Sequence, residues 1–121
     1  MTRPDAEAAE QFILREARLL DRHRFAFRFG AGDAAPVIAS LRAYQNDDGG
    51  FGHALEPDLR GPSSQPVPLE HALQILDELG GFEPEIVQRA CEWLESVTTA
   101  EGGVPFVLPS VVEGPHASWW A

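Results

Sequence analysis

Directly after a glycine-rich run, His53, Glu56, Asp58 and Arg60 fall within eight residues, and Glu70 and His71 follow a short way on. These residue types serve proton transfer, anion binding and ligation of a hard divalent ion. His53, Glu56 and Asp58 are therefore the candidates for a catalytic role. Arg60 and His71 are the candidates for holding a ligand. The same three residues, His53, Glu56 and Asp58, could ligate a divalent metal. Spacing within a loop fixes no coordination geometry, so no metal site is assigned and the cofactor is left unknown. The simpler expectation is an ion pair, Asp58–Arg60 or Glu56–Arg60, that pins the loop. His71 is read as a capping or packing residue on a helix.

A second polar group is basic. Arg15, Arg18 and Arg22, with Arg24 and Arg28 nearby, form the chain's only cationic concentration. Guanidinium clusters suit diphosphates through bidentate hydrogen bonds. The competing reading pairs them with Glu7, Glu10, Glu16 and Asp21 on a solvated helix face, and that is the one expected.

Composition narrows the chemistry. All nine basic residues are arginine, which excludes a Schiff-base lysine and a phosphate-loop lysine. The net charge of −10 disfavours nucleic acid and anionic membranes as partners. Cys91 is the single cysteine, so no internal disulfide forms. It falls on an apolar stripe and is read as packing. No apolar stretch approaches the roughly 20 residues of a membrane span. The N-terminus has no apolar leader run, and a cytoplasmic location is expected.

The elements that must position these residues read as helices. Residues 2–22 carry Ile13, Ala17 and Leu20 at helical spacing, widened by Phe12 and Leu19, with Thr2 and Asp5 as a capping box. A second helix is expected over 34–45, capped by Asp33, with Val37, Leu41 and Tyr44 on one face. A third covers about 66–79, where Leu69, Ala72, Leu73 and Leu76 keep the spacing and Gly80-Gly81 ends it. A fourth covers about 84–97, on Val87, Ala90, Cys91 and Leu94. Residues 53–65 read as loop. Phe25, Phe27 and Phe29 are expected in core packing or in anchoring a turn. Two prolines break the apolar segment from Val104 to Val112, which argues against a central strand. The fold class is all-α.

The chain also matches itself at an offset of 53. Asp48-Gly49-Gly50-Phe51 falls on Glu101-Gly102-Gly103-Val104, Leu41 on Leu94, and Gly61-Pro62 on Gly114-Pro115. That register gives one partial domain over 1–121, with repeat 1 at about 1–65 and repeat 2 at about 66–118. Trp119 then opens a further helix. Two such units rarely suffice for a stacked or ring architecture. The chain is expected to be a partial chain, or to complete itself as a homo-oligomer. Trp119-Trp120 would then pack into a neighbouring subunit or mark a truncation.

The motif Gln45-x-x-x-Gly49-x-Phe51 resembles the QW repeat of squalene and hopene cyclases. The longer run from Tyr44 to Leu73 also looks like protein prenyltransferase β subunits, with Ala72-Leu73 as their helical Ala-Leu pair. The likeness is specific over 41–73 and weaker over 94–115, where Thr98 and Val104 replace the glutamine and the aromatic. It implies an α/α toroid of helical hairpins, here about two of them in an incomplete ring. It also implies that Gln45, Gly49, Gly50 and Phe51 form a structural clamp, and that rim loops such as 53–60 face a cavity. The activity implied is a transferase or cyclase reaction on an isoprenyl diphosphate, or binding of an isoprenoid or other apolar small molecule. The Asp-x-Asp-Asp and Asp-Asp-x-x-Asp acids of that chemistry are missing. Their absence favours the alternative, a non-catalytic binding or scaffold module, or an inactive portion of a longer toroid protein that self-associates.

Overall fold

A computed structural model describes residues 3–81 and 83–121. The described chain is all-helical: α1 (Ala6–Glu16), α2 (Leu19–Phe29), α3 (Ala34–Arg42), α4 (Pro66–Glu78) and α5 (Pro84–Val97), then short 3-10 turns at Pro109–Glu113 and Ser118–Trp120. Two isolated antiparallel bridges, Gln45–Phe51 and Leu59–His116, replace any strand among the described residues. The chain forms two compact units, Met1–Leu41 and Arg42–Ala121. No described helix is long and apolar enough to cross a membrane.

In the first unit the single helix expected over 2–22 is two helices. Ala17 and Arg18 are both extended, with ψ of 159° and 157°. Neither is a helix breaker, so propensity hides the break. Arginines hold it: Arg22 Nε donates to the Ala17 carbonyl at 2.9 Å, and Arg18 Nε to Asp21 at 2.8 Å. Asp21 also accepts from Arg24. It lies in the first turn of α2, where an acid favours the helix dipole. The arginine group is thus committed in part to local bonds. The described cap of α1 is Asp5, which accepts from Ala8 N–H; Thr2 lies outside the described residues. Only Leu20 of the expected stripe is fully buried, while Phe12 and Leu19 are exposed. α2 takes in His23–Phe29, and the Phe25 and Phe29 rings lie 5.2 Å apart.

The helix expected over 34–45 ends at Arg42, with Val37 and Leu41 fully buried. In the second unit α4 starts on Pro66, where a missing N–H costs nothing. It buries Leu69, Ala72, Ile75 and Leu76. Gly80 closes it at φ +78°, donating to the Asp77 carbonyl. α5 buries Ala90 as expected, but the face turned inward is rotated from the expected one. It buries Ile86, Ala90 and Trp93, leaves Val87 and Leu94 half-buried, and exposes Cys91. Two apolar stripes of equal spacing run along this helix, and burying Trp93 removes the larger apolar area from water.

The segment after α5 is tied back by backbone bonds. Arg60 N–H donates to Pro115 and Ala117 N–H to Asp58. The buried Gln65 donates to Ser110 Oγ and accepts from Leu108 N–H. Leu59, Val67 and Val111 form a small core here, joined by Val107 and Trp120. Trp120 therefore packs within its own chain, in a 3-10 turn where a further helix was expected; Trp119 is exposed. Gly61 and Gly114 meet backbone to backbone: a Cβ on Gly114 would stand 2.5 Å from Gly61 Cα. We expect Gly114→Ala to lower stability by roughly 1–3 kcal/mol. Gly81→Ala, with no described atom within 4 Å of the added Cβ, should shift it by less than about 0.5 kcal/mol. Urea denaturation of both variants checks the pair.

Candidate functional site

The run Gln45–Gly52 follows α3 as a tight turn. Asn46 N–H donates to the Gly50 carbonyl at 2.8 Å and Gly49 N–H to the Asn46 carbonyl at 3.0 Å. The Asp48 carboxylate accepts from Gly50 N–H at 2.9 Å and from Ser64 Oγ at 2.6 Å. Asn46 Nδ2 donates to the Pro62 carbonyl and to Ser64 Oγ. Gln65 N–H donates to the Phe51 carbonyl. These bonds tie the turn to the start of α4.

A second set ties it to α5. Gln45 Nε2 donates to the Gly49 carbonyl at 3.0 Å and to the Ile86 carbonyl at 3.2 Å. Arg89 reaches back and donates to the Asn46 and Asp47 carbonyls and to Gln45 Oε1. The amide of Gln45 thus donates to two carbonyls and accepts from a guanidinium. The glycines serve different ends. Gly49 has φ +94° and lies on the Arg89 backbone. Gly50 and Gly52 are needed for room: a Cβ would strike Ser64 and Trp93 in one case, and the Pro62 and Ser63 carbonyls in the other. Phe51 is fully buried beneath them.

The polar residues after this turn do not converge. His53 and Ala54 take left-handed φ of 56° and 63°, the two central positions of a primed turn closed by Leu55 N–H to the Gly52 carbonyl. His53 Nε2 lies 2.6 Å from Asn46 Oδ1. Because Asn46 Nδ2 is spent on Pro62 and Ser64, Nε2 is the donor in this contact. Glu56 pairs with His71 Nε2 at 3.1 Å and accepts from Asp58 N–H. That replaces the expected Glu56–Arg60 pair, and no Asp58–Arg60 pair forms; Asp58 and Arg60 are exposed. His71 is therefore a partner of the loop acid. Among the described residues no three His, Cys, Asp or Glu side chains group as a metal would require. His53, Asp58 and Arg60 are exposed, while Glu56 is largely covered and held against His71.

The second acid-Gly-Gly turn, 98–104, has the same backbone bonds at the same offset. Thr98 N–H donates to Glu95, Thr99 N–H to Gly103 and Gly102 N–H to Thr99, matching Gln45 to Arg42, Asn46 to Gly50 and Gly49 to Asn46. Gly102 has φ +85°. The surroundings differ. Where α5 lies on the first turn, nothing described comes within 4 Å of a Cβ at Gly102, and only Thr99 Oγ1, at 3.5 Å, approaches one at Gly103.

An open apolar groove of about 300 Å³ runs beside that second turn. Val67, Leu69 and Leu73 line it from α4, Leu94 from α5, and Val104 and Phe106 from the return segment. Glu70 is its one charged lining residue; neither Arg60 nor His71 reaches it. Sequence reasoning did not single out Arg89, Ser64 or Trp93 as partners of the turn, nor Phe106 as a groove residue. Each acts on groups far away in the chain, and no local spacing announces it.

If the first turn is architectural, Phe51→Ala costs about 3–5 kcal/mol. Arg60→Ala, at an exposed site, stays within about 0.5 kcal/mol. Chemical denaturation of the two variants checks this. Compared with family models, curated proteins and solved structures, the chain matches none of them.

Proposed function

We propose that the chain is a helical-hairpin repeat module of the α/α-toroid kind, akin to prenyltransferase and squalene-cyclase repeats, and that it binds an apolar, isoprenoid-like ligand without processing a diphosphate. The groove on α4 and α5 carries this reading. Its volume is near the lower end of small-molecule sites, roughly 300–1,000 Å³. Its walls are apolar, its one charge is the carboxylate of Glu70, and no guanidinium lines it. A diphosphate there would meet like charge, while a prenyl chain would bury apolar surface. The repeat part of the reading is supported by the three matched backbone bonds and by the two positive-φ glycines, 53 residues apart.

Titration calorimetry with farnesol and with farnesyl diphosphate tests it. Farnesol should bind, and the diphosphate should bind no more tightly. Leu73→Asp should weaken farnesol at least about tenfold, a change of about 1.4 kcal/mol. Arg60→Ala should leave both unchanged. Tighter diphosphate binding that depends on Arg60 would favour the transferase or cyclase reading. Binding of neither ligand would remove the isoprenoid reading. A scaffold role is the second reading, and the uncovered turn at 98–104 favours it.

A further inference from the structure

The two units carry very different charge. Met1–Leu41 holds six arginines against six acidic residues. Arg42–Ala121 holds three arginines against thirteen, so the whole net charge of −10 belongs to the second unit. The apolar groove lies in that unit, and the unit's own cations do not offset the charge there. Arg42 pairs with Glu83 at 3.5 Å, Arg89 donates to the carbonyls of the first acid-Gly-Gly turn, and Arg60 does not line the groove. Its histidines are placed elsewhere too: His53 meets Asn46, His71 meets Glu56 and His116 meets the Gly114 carbonyl.

Glu70 stands within the groove's α4 wall. Val67, Glu70 and Leu73 follow one another three residues apart, so the acid lies between two apolar lining residues on one helix face. An aliphatic side chain there would continue the wall. Glu70 is exposed, so a ligand entering from solvent can reach it. Among the described residues its side chain has one partner, Gln74, whose Nε2 donates to Oε1 at 3.5 Å. We infer that the groove selects its ligand by charge: Glu70 receives a terminal ammonium, and the ligand is an apolar chain ending in an amine. The inference rests on the proposal that the groove binds an apolar chain, and it names the group at the end of that chain. Burial of the chain alone is blind to its end group. An ammonium brings three donors to a carboxylate that has an oxygen to spare, whereas an alcohol makes a hydrogen bond without the charge. The field of an acidic unit also concentrates cations near it and repels anions. An exposed ion pair adds little by itself, so the preference is a few-fold.

Titration calorimetry with farnesylamine and with farnesol, each kept below its aggregation threshold, tests this on wild type and Glu70→Gln. The substitution keeps the shape of the side chain and removes its charge, and an unchanged melting temperature would show that the variant stays folded. At low salt the wild type should bind one farnesylamine per chain, about three- to fivefold tighter than farnesol. Farnesol should displace the amine, because both chains occupy one groove. In Glu70→Gln the amine should lose its advantage while farnesol binds as before. High salt should shrink the difference in the wild type. If farnesol binds and the amine binds no tighter, the inference is overturned and the groove reading stands. A preference for the amine that survives Glu70→Gln also overturns it, because the acidic surface at large would then be the attraction. So does an amine that farnesol cannot displace. Binding of neither ligand removes the groove reading and the inference together.

Discussion

The second unit depends on burying Phe51 under a backbone turn that α5 can touch directly. The ring goes inside only if the residues around it carry almost no side chain, because Arg89, Trp93 and Ser64 already occupy the space beside Gly49 and Gly50. Close approach leaves the turn's carbonyls short of water. Arg89 and Gln45 supply donors to them, and Asp48 supplies an acceptor to Gly50 N–H and Ser64. Buried polar groups are costly unless paired, so the glycines and the polar residues of the motif are two halves of one requirement. The remainder of the unit follows. Ser64 and Gln65 fix where α4 begins, and Gln65 in turn holds the return segment through Ser110 and Leu108.

This arrangement gives the polar residues after the turn a structural meaning. His53 orients on Asn46, and Glu56 holds His71 on α4, so two of the side chains best suited to chemistry brace the loop instead. Left-handed His53 and Ala54 sit in the same loop, where two non-glycine residues are held in a conformation that costs about 1–2 kcal/mol each. The apolar groove lies elsewhere, on α4 and α5, which is why a binding role is the stronger proposal than a catalytic one.

How legible this was in the sequence varied with the range of the interaction. α4 could be read almost whole, because Pro66 and Gly80 are local signals and its apolar spacing is regular. α5 could be located but not oriented, since Val87/Ala90/Cys91/Leu94 and Ile86/Ala90/Trp93 share Ala90, both satisfy helical spacing, and only the neighbours choose between them. The break at Ala17–Arg18 was invisible, because side-chain bonds from Arg18 and Arg22 hold it and neither residue at the break is a helix breaker. The motif Gln45, Gly49, Gly50 and Phe51 stood out by residue type. Its partner Arg89 did not, because a lone arginine on a helix carries no signal of a contact made more than 40 residues away. The acid and base candidates were adjacent in sequence and separate in space, since a loop this short still points its side chains in different directions.

The most direct measurement is native-state amide hydrogen exchange in a dilute sample, comparing the two turns within one molecule. Asn46 and Gly49 make the same backbone bonds as Thr99 and Gly102, and only the first pair lies under α5. The account predicts that Asn46 and Gly49 exchange through the same opening as the core amides of α4. Thr99 and Gly102 should exchange by local opening, faster by about 100-fold or more. Equal rates at the two turns would contradict it, because the cover from α5 would then contribute nothing to holding the motif.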